Sequence, residues 1–238
     1  MADADGAPLA LSQALLVAAR TGEPELAPLV ARLADVDPAT LRGDAPRLAF
    51  WINVYNARVK SAVRERAMRG NLRAYRGFFK DVGWVVGGRP TSLHVMEHGL
   101  LRVNRPAPYT FWRPLSAADP RLAWAPSRLD ARVHFALNCG AVSCPPIRAY
   151  AAERLDEQLA LATRSYLDGE VVVAGRTVTV PYLCTLYRGD FGPGLLDFVA
   201  AHVDPERAAA IRALGATTTR SSGARVRFGP YRWEIGGE

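Results

Sequence analysis

Two cysteines, Cys139 and Cys144, lie five positions apart in a segment that also contains His134. The thiolate is the nucleophilic form of cysteine, and a nearby imidazole can remove the thiol proton. A second imidazole is available from His98, which lies earlier in the chain. These residue types predict a cysteine-dependent enzyme that transfers an acyl group from an amide, an ester or a thioester.

Cys144 is the preferred nucleophile because of the local structure that the sequence predicts around it. A strand over Arg132–Asn138 is expected to lead into a turn of small residues, and Pro145 is expected to begin a helix. The positive end of that helix would stabilise a thiolate on Cys144. Backbone N–H groups between Gly140 and Cys144 would bind the oxyanion that forms when a thiolate attacks a carbonyl.

A structural role for the cysteines is the competing interpretation, because free cysteine often behaves as a small buried hydrophobe. Cys139 is the second candidate nucleophile, or a resolving partner that forms a disulfide with Cys144 if their Cα atoms come within ~7 Å. Cys184 has no neighbouring residues that support a chemical role and is interpreted as a packing residue. Three cysteines in total are not typical of a disulfide-rich secreted domain.

His94, Glu97 and His98 form the pattern H-x-x-E-H. On a helix the two histidines would share a face, as zinc ligands do, and Glu97 would be the general base of a zinc hydrolase. A third ligand would be needed, for which the candidates are Glu153, Glu157 and Glu170. A mixed zinc site is the other metal alternative, with His94, His98, Cys139 and Cys144 as ligands.

The cysteine hypothesis gives the same histidine segment another role. His98 is then the general base for the thiol, and Glu97 or Asn53 orients it, whereas His134 is the alternative base. No metal or other cofactor is needed for this chemistry. A third class of function is a non-catalytic interaction module in which these polar residues only hold the core together.

Asn53 and Asn56 stand out in the stretch Phe50–Ala57, which is otherwise apolar and aromatic. Asparagine is a mediocre helix former, and a buried amide must find hydrogen-bond partners. A polar network that holds the structure is slightly favoured over the orientation of a catalytic histidine.

Composition limits the remaining function classes. The chain has 238 residues, 49% of them hydrophobic, and a net charge of +7. It has no run of ~18 apolar residues, so no membrane span is expected. Basic residues from Arg58 to Lys80 favour a solvated helix face over a nucleic-acid surface. Because the N-terminus, Met1–Asp5, is acidic, it does not resemble a secretory signal, and we expect a cytoplasmic protein.

The elements that must position these groups are irregularly ordered, which favours an α+β fold in one helix-rich domain with a small, mostly antiparallel sheet. Residues 1–45 would be an N-terminal helical segment, 46–200 a core, and 201–238 a C-terminal helix and hairpin. Helices are expected over 9–20, 24–34, 46–69, 92–102, 150–167, 194–203 and 205–214. Hairpins are expected over 83–89, 171–180 and 225–235.

Three segments together resemble the domain-of-unknown-function family 547, and the resemblance extends over roughly residues 45–200. The segments are Phe50–Ala57, Ser92–Arg102 and His134–Pro145. The resemblance implies that the family positions are Asn53, Asn56, Glu97, His98, Arg102, His134, Asn138, Cys139, Ser143 and Cys144.

Within that set, Asn56, Arg102, Asn138 and Ser143 are candidates for binding a small-molecule or peptide substrate. The resemblance further implies a distant similarity to papain-like or transglutaminase-like folds, with the order of asparagine, histidine and cysteine permuted. His94 departs from the family pattern, which weakens the zinc hypothesis. The substrate and the oligomeric state stay open.

Overall fold

The computed structural model describes residues 6–214 and 225–236, and it confirms a helix-rich α+β fold. The described residues form two compact units, one within Met1–Asp156 and Trp233–Glu238, the other within Glu157–Arg232. That the whole chain is one domain stays a prediction. The acidic N-terminus, Met1–Asp5, lies outside the described residues. None of the helices in the described part of the chain has the length and hydropathy needed to cross a membrane.

The first unit is organised around α3 (Asp44–Glu65), which packs against α1 (Gly6–Thr21). From Leu48 to Val59 every residue of α3 is buried, as expected of a helix covered on all sides. α2 (Leu26–Asp35) follows α1. The spacing of apolar residues predicted all three helices, although α3 ends four residues before the predicted Arg69.

The solvated basic face predicted on α3 is present at Arg64 and Arg66, which are exposed, but Arg58 is an exception. Arg58 is buried, and its guanidinium donates to the carbonyl of Gly83 at 2.9 Å and to Glu65. Arg64 donates to the carbonyls of Ala19 and Arg20 at the end of α1. Since the last carbonyls of a helix lack partners within the helix, a cation is well placed there.

After α4 (Phe78–Asp81), strands β1 (Gly83–Val86) and β2 (Arg89–Ser92) form the predicted antiparallel hairpin. Gly87 and Gly88 form its turn with φ of 55° and 69°, which requires glycine-like freedom at both positions. The next segment, Val95–Leu101, is helical as predicted, but its hydrogen-bond pattern is that of a π-helix.

The strand predicted for Arg132–Asn138 is wrong, because Ala131–Phe135 forms a 3₁₀-helix. The carboxylate of Asp130 accepts the N–H of Arg132 at 3.0 Å and so begins this helix. The helix expected to begin at Pro145 or Tyr150 is also displaced. The chain becomes helical only in the 3₁₀ turn Ala152–Arg154, which leads into α5 (Leu155–Glu170).

The second unit contains a three-stranded sheet and short helices. β3 (Val172–Ala174) and β4 (Thr177–Val180) form the predicted antiparallel hairpin, and β5 (Arg225–Phe228) pairs in parallel with β4. The helices are α6 (Tyr182–Leu186), α7 (Leu195–Ala200) and α8 (Pro205–Ala213). The predicted terminal hairpin is wrong, because β5 pairs with β4, and Glu234 and Ile235 form bridges with Asn71 and Ala141.

Shorter 3₁₀-helices complete the described residues. Asp37 caps the first of them, Pro38–Thr40, through a hydrogen bond to Ala39, as the sequence Asp37-Pro38 predicts. The others are Leu72–Ala74, Pro120–Trp124 and Arg188–Asp190.

Candidate functional site

Residues 138–145, here called the cysteine loop, are closed by the side chain of their first residue. The amide of buried Asn138 accepts the N–H of Gly140 at 2.7 Å and donates to the carbonyl of Pro145 at 2.9 Å. Both ends of the loop are therefore joined through one asparagine. Such a closed turn holds both cysteines in a defined backbone geometry.

Helix α3 holds the same segment through two further asparagines. Asn56 donates to the carbonyl of Ala136 and accepts the N–H of Asn138, both at 2.9 Å. Asn53 bonds the carbonyl and the N–H of Tyr150 at 2.8 and 2.9 Å, and also donates to Ser12. Each amide imitates a backbone partner, and none of these bonds reaches a histidine. The geometry therefore fits the predicted structural network.

The C-terminal segment covers the loop from another side. The N–H of Val142 donates to the carbonyl of Glu234 at 2.9 Å, and the N–H of Gly236 donates to the carbonyl of Gly140 at 3.2 Å. These bonds form the bridge between Ala141 and Ile235. Sequence reasoning assigned this segment to a hairpin and so missed its contact with the cysteine loop.

The sulfur of Cys144 has a hydrogen-bond donor within its own loop. Its Sγ accepts the backbone N–H of Cys139 at 2.9 Å. A hydrogen bond donated to sulfur favours the thiolate over the thiol. Cys139 and Cys144 are half-buried thiols, whereas Cys184 is buried, and burial raises the pKa of its thiol to about 12. Cys184 thus fits its predicted packing role.

Most of the backbone N–H groups that were predicted to bind an oxyanion already donate hydrogen bonds within the chain. The N–H of Gly140 donates to Asn138, that of Val142 donates to Glu234, and that of Cys144 donates to the carbonyl of Ala141 at 3.0 Å. The N–H of Ala141 makes no hydrogen bond within the part of the chain that the structure describes. The helix dipole expected behind Cys144 is missing from the same described segment, since the chain first becomes helical again at Ala152.

The histidine segment is the second polar region, and its backbone is unusual. The N–H of Arg102 bonds to the carbonyl of Glu97 at 2.8 Å, and that of Asn104 bonds to Gly99 at 3.0 Å, which are i to i−5 bonds. After the helix, Val103 and Asn104 have φ values of 51° and 55°, which residues other than glycine rarely adopt. π-Helical turns and strained backbone both occur preferentially at functional sites.

Charged groups are buried together in this segment. Glu97, His98 and Arg102 are 7%, 4% and 5% exposed. The hydroxyl of Tyr55 on α3 donates to Glu97 at 3.0 Å. Arg102 contacts the Nδ1 atom of His98 at 3.0 Å and donates to the carbonyl of Pro106 at 2.8 Å. Helix α3 therefore contacts both predicted polar segments, the cysteine loop through Asn56 and the histidine segment through Tyr55.

The proton on His98 follows from its partner. A guanidinium only donates, so Nδ1 of His98 must accept, and the ring carries its proton on Nε2. Burial lowers the pKa of His98 to about 4, and positive Arg102 acts in the same direction, against the attraction of Glu97. His98 is therefore neutral at pH 7, and its 3.7 Å contact with Glu97 is not an ion pair.

The two candidate bases have different surroundings. Within the described residues His98 makes no hydrogen bond to either cysteine, and its basic nitrogen is occupied by Arg102. His134 is buried in the 3₁₀-helix that leads directly into the cysteine loop. A positive charge on His134 would also lower the pKa of His98, so the two rings lie within electrostatic range.

The zinc alternatives lack a ligand cluster. Among residues 6–214 and 225–236, no three His, Cys, Asp or Glu side chains are grouped to hold a metal ion. The rings of His94 and His98 lie 4.9 Å apart at a steep angle, and Nδ1 of His94 is 3.1 Å from the hydroxyl of Tyr109. The guanidinium of Arg102 beside His98 would also repel a metal cation.

Sequence reasoning did not single out Tyr55, Lys60 or Arg69. Tyr55 lies between Asn53 and Asn56, and a buried tyrosine usually finds a partner for its hydroxyl, which was a usable signal. Lys60 is one of two lysines in the chain. No local pattern indicated that Lys60 and Arg69 line a cavity beside the cysteine loop.

The fold and the site define a helix-rich α+β protein in which one buried helix joins a cysteine loop to a buried histidine segment. The chain belongs to the family described as "Protein of unknown function, DUF547", whose sequence model matches residues 39–167. The match includes all three motif segments. No curated protein and no solved structure matches the chain.

Proposed function

We propose that the protein is a cysteine-dependent acyl-transfer enzyme, a hydrolase or transferase of an amide, ester or thioester, with Cys144 as its nucleophile. The observation that carries the proposal is the N–H bond from Cys139 to the Sγ of Cys144 in a loop closed by Asn138. Cys139 serves through its backbone and remains the second candidate nucleophile.

His134 is the proposed general base. His98 is a poor base because its Nδ1 already accepts from Arg102 and its pKa lies near 4. A neutral imidazole with its proton on Nε2 instead suits hydrogen-bond donation to a polar group of the substrate. Glu97 and Arg102 act as positioning residues that fix the tautomer of His98.

The chemical step conserves atoms and charge. His134 takes the thiol proton, and the thiolate adds to the substrate carbonyl to form a tetrahedral oxyanion. Collapse forms a thioester on Cys144 and breaks the bond to the amine, alcohol or thiol, which takes the proton from His134. Water or another nucleophile then cleaves the thioester. The N–H of Ala141 is the proposed oxyanion donor.

The proposed location is the cytoplasm, where thiols stay reduced. The substrate would be a small molecule or a peptide with a reactive carbonyl.

The test is the pH dependence of iodoacetamide alkylation at each cysteine of the native, reduced protein, measured by peptide mass spectrometry. We expect Cys144 to react with an apparent pKa below the ordinary ~8.5 of a thiol. His134→Ala should slow alkylation of Cys144 at pH 7 by about tenfold or more, because the acidic thiol loses its base. His98→Ala should leave that apparent pKa little changed.

Cys184 is the internal control, since its buried thiol should stay unmodified until the protein unfolds. Hydrolysis of p-nitrophenyl acetate by Cys144→Ser and Cys139→Ser variants then assigns the nucleophile. The proposal is wrong if Cys144 titrates like a free thiol and Cys144→Ser keeps full esterase activity. Unreactive Cys139 and Cys144 in the native protein would favour a non-catalytic module.

A further inference from the structure

A cavity of about 220 Å³ lies beside the cysteine loop. Three separate parts of the first unit line it: α3, the turn that follows α3, and the cysteine loop with the C-terminal segment. The lining residues that carry the argument are Val59, Lys60, Val63, Arg69, Gly140 and Ile235. The volume is below the ~300–1,000 Å³ of pockets for drug-sized ligands, so an occupant would be small.

The walls of this cavity are mostly apolar, and one glycine sets their spacing. Gly140 has a φ of 93°, and a Cβ atom there would lie 3.3 Å from Cγ2 of Val63 and 3.6 Å from Cγ1 of Val59. Glycine therefore lets the loop approach α3 closely while adopting a backbone conformation that other residues avoid. Walls of this kind suit an aliphatic group.

Two cations line the cavity, Lys60 and Arg69, and among residues 6–214 and 225–236 no carboxylate lines it. Within the residues that the structure describes, Lys60 makes no hydrogen bond or ion pair. Arg69 donates from Nη1 to the carbonyl of Met68 at 2.9 Å, which leaves the rest of its guanidinium for a ligand. These two cations make the cavity attractive to an anion.

Hydrogen bonds hold the backbone around Arg69 in place. The hydroxyl of Tyr75 accepts the N–H of Arg69 at 2.9 Å and donates to its carbonyl at 3.2 Å. The carbonyl of Gly70 accepts the N–H of Ile235 at 2.6 Å. These bonds hold Arg69 and the C-terminal wall in place relative to each other.

We propose that this cavity binds the carboxylate and short aliphatic body of a small acyl compound. This inference rests on the proposed function, because it names the anionic end of the substrate whose carbonyl Cys144 would attack. A single carboxylate fits one ammonium and one guanidinium, and the apolar walls hold its hydrocarbon part. The enzyme would then discriminate against neutral analogues of the same length.

The first experiment titrates the full-length protein with hexanoate and, separately, with uncharged hexanamide, by calorimetry. We expect hexanoate to bind at least about tenfold more tightly, since a charge-assisted hydrogen bond is lost with the amide. Lys60→Met and Arg69→Met, which remove charge but keep chain length, should each weaken hexanoate binding by about tenfold. Arg188→Met removes an exposed cation that does not line the cavity and should change nothing.

Equal binding of both compounds, unchanged affinity in the Lys60→Met and Arg69→Met variants, or no saturable binding of hexanoate at millimolar concentration would each overturn the inference. The titration does not depend on the thiols, so it is independent of the proposed chemistry. Cation-dependent hexanoate binding with an unreactive Cys144 would keep the anion site and reject acyl transfer. An activated Cys144 without hexanoate binding would reject the anion site and keep acyl transfer.

Discussion

The cysteine loop and the histidine segment are both buried polar regions that α3 contacts, but different bonds hold them. Around the cysteine loop, neutral side-chain amides of Asn53, Asn56 and Asn138 bond to backbone groups. In the histidine segment, Tyr55, Glu97, His98 and Arg102 bond to one another as ionisable side chains.

The two kinds of bond have different effects: one fixes the geometry of a site, and the other fixes the protonation state of a side chain. Neutral amide bonds to backbone are insensitive to pH, so the geometry around Cys144 should persist while the thiol titrates. The histidine segment instead sets a protonation state, because burial and Arg102 keep His98 neutral. We therefore expect mutations in the first region to affect the fold, and changes of pH to act on the second.

The largest effect is expected from Asn56→Ala. The variant leaves the buried carbonyl of Ala136 and the buried N–H of Asn138 without partners. Each unsatisfied group costs ~1–3 kcal/mol, so the free energy of unfolding should fall by about 2–5 kcal/mol. Urea denaturation followed by circular dichroism measures this change.

Asn71→Ala is the matched control for Asn56→Ala. Asn71 is exposed, and its side chain caps a 3₁₀ turn through the N–H of Arg73, so loss of that side chain should cost about 1 kcal/mol. If Asn56→Ala were no more destabilising than Asn71→Ala, the asparagine bonds would not hold the cysteine loop.

The next effect concerns pH and His98. Its pKa is about 4 when folded and 6.5 ordinarily, so the unfolded chain takes up the proton first as pH falls. His98 therefore contributes stability that is complete above pH 6.5 and is lost as pH falls towards 4. Between pH 7 and pH 5 the loss should be roughly 2 kcal/mol.

A His98→Gln variant isolates this contribution, because glutamine can accept from Arg102 but does not titrate. Denaturation at several pH values should show a stability curve that is flatter by about that amount between pH 5 and pH 7. Parallel curves for wild type and variant would mean that His98 is not held neutral by its surroundings.

The smallest effect is expected when the same substitution, tyrosine to phenylalanine, is made at two buried positions. Tyr55→Phe removes a hydrogen bond to the buried carboxylate of Glu97 and should cost about 1–2 kcal/mol. Tyr150→Phe removes the hydroxyl that is the sole buried side-chain polar atom without a partner in the described residues. That variant should be neutral or more stable by about 1 kcal/mol. Thermal unfolding of both variants shows whether each substitution lowers or raises the stability.

Much of the fold followed from local signals. Apolar spacing predicted α1, α2 and α3, Asp37-Pro38 predicted a cap, and Gly87-Gly88 predicted the turn of the first hairpin. The segment Arg132–Asn138 was mistaken for a strand, and all its residues from 133 to 138 are buried. A segment covered on every side carries no periodicity to distinguish strand from helix.

The candidate site was predictable in its residue types but not in their partners. The sequence indicated Asn56, His98 and Cys144 as candidates, but it did not indicate whether their polar atoms already form hydrogen bonds with other residues. Asn56 bonds to residues 80 and 82 positions away, and such long-range partners leave no local pattern.

By itself the sequence determined the family, the helix-rich α+β class and the residues with reactive side chains, because these depend on composition and short-range spacing. Only the tertiary structure decided that His98 is a neutral donor beside Arg102, that the amide of Cys139 bonds the sulfur of Cys144, and that Lys60 and Arg69 meet at one cavity. The physical reason is that hydrogen bonding and burial set the protonation and reactivity of a group, and both depend on residues far away in the chain.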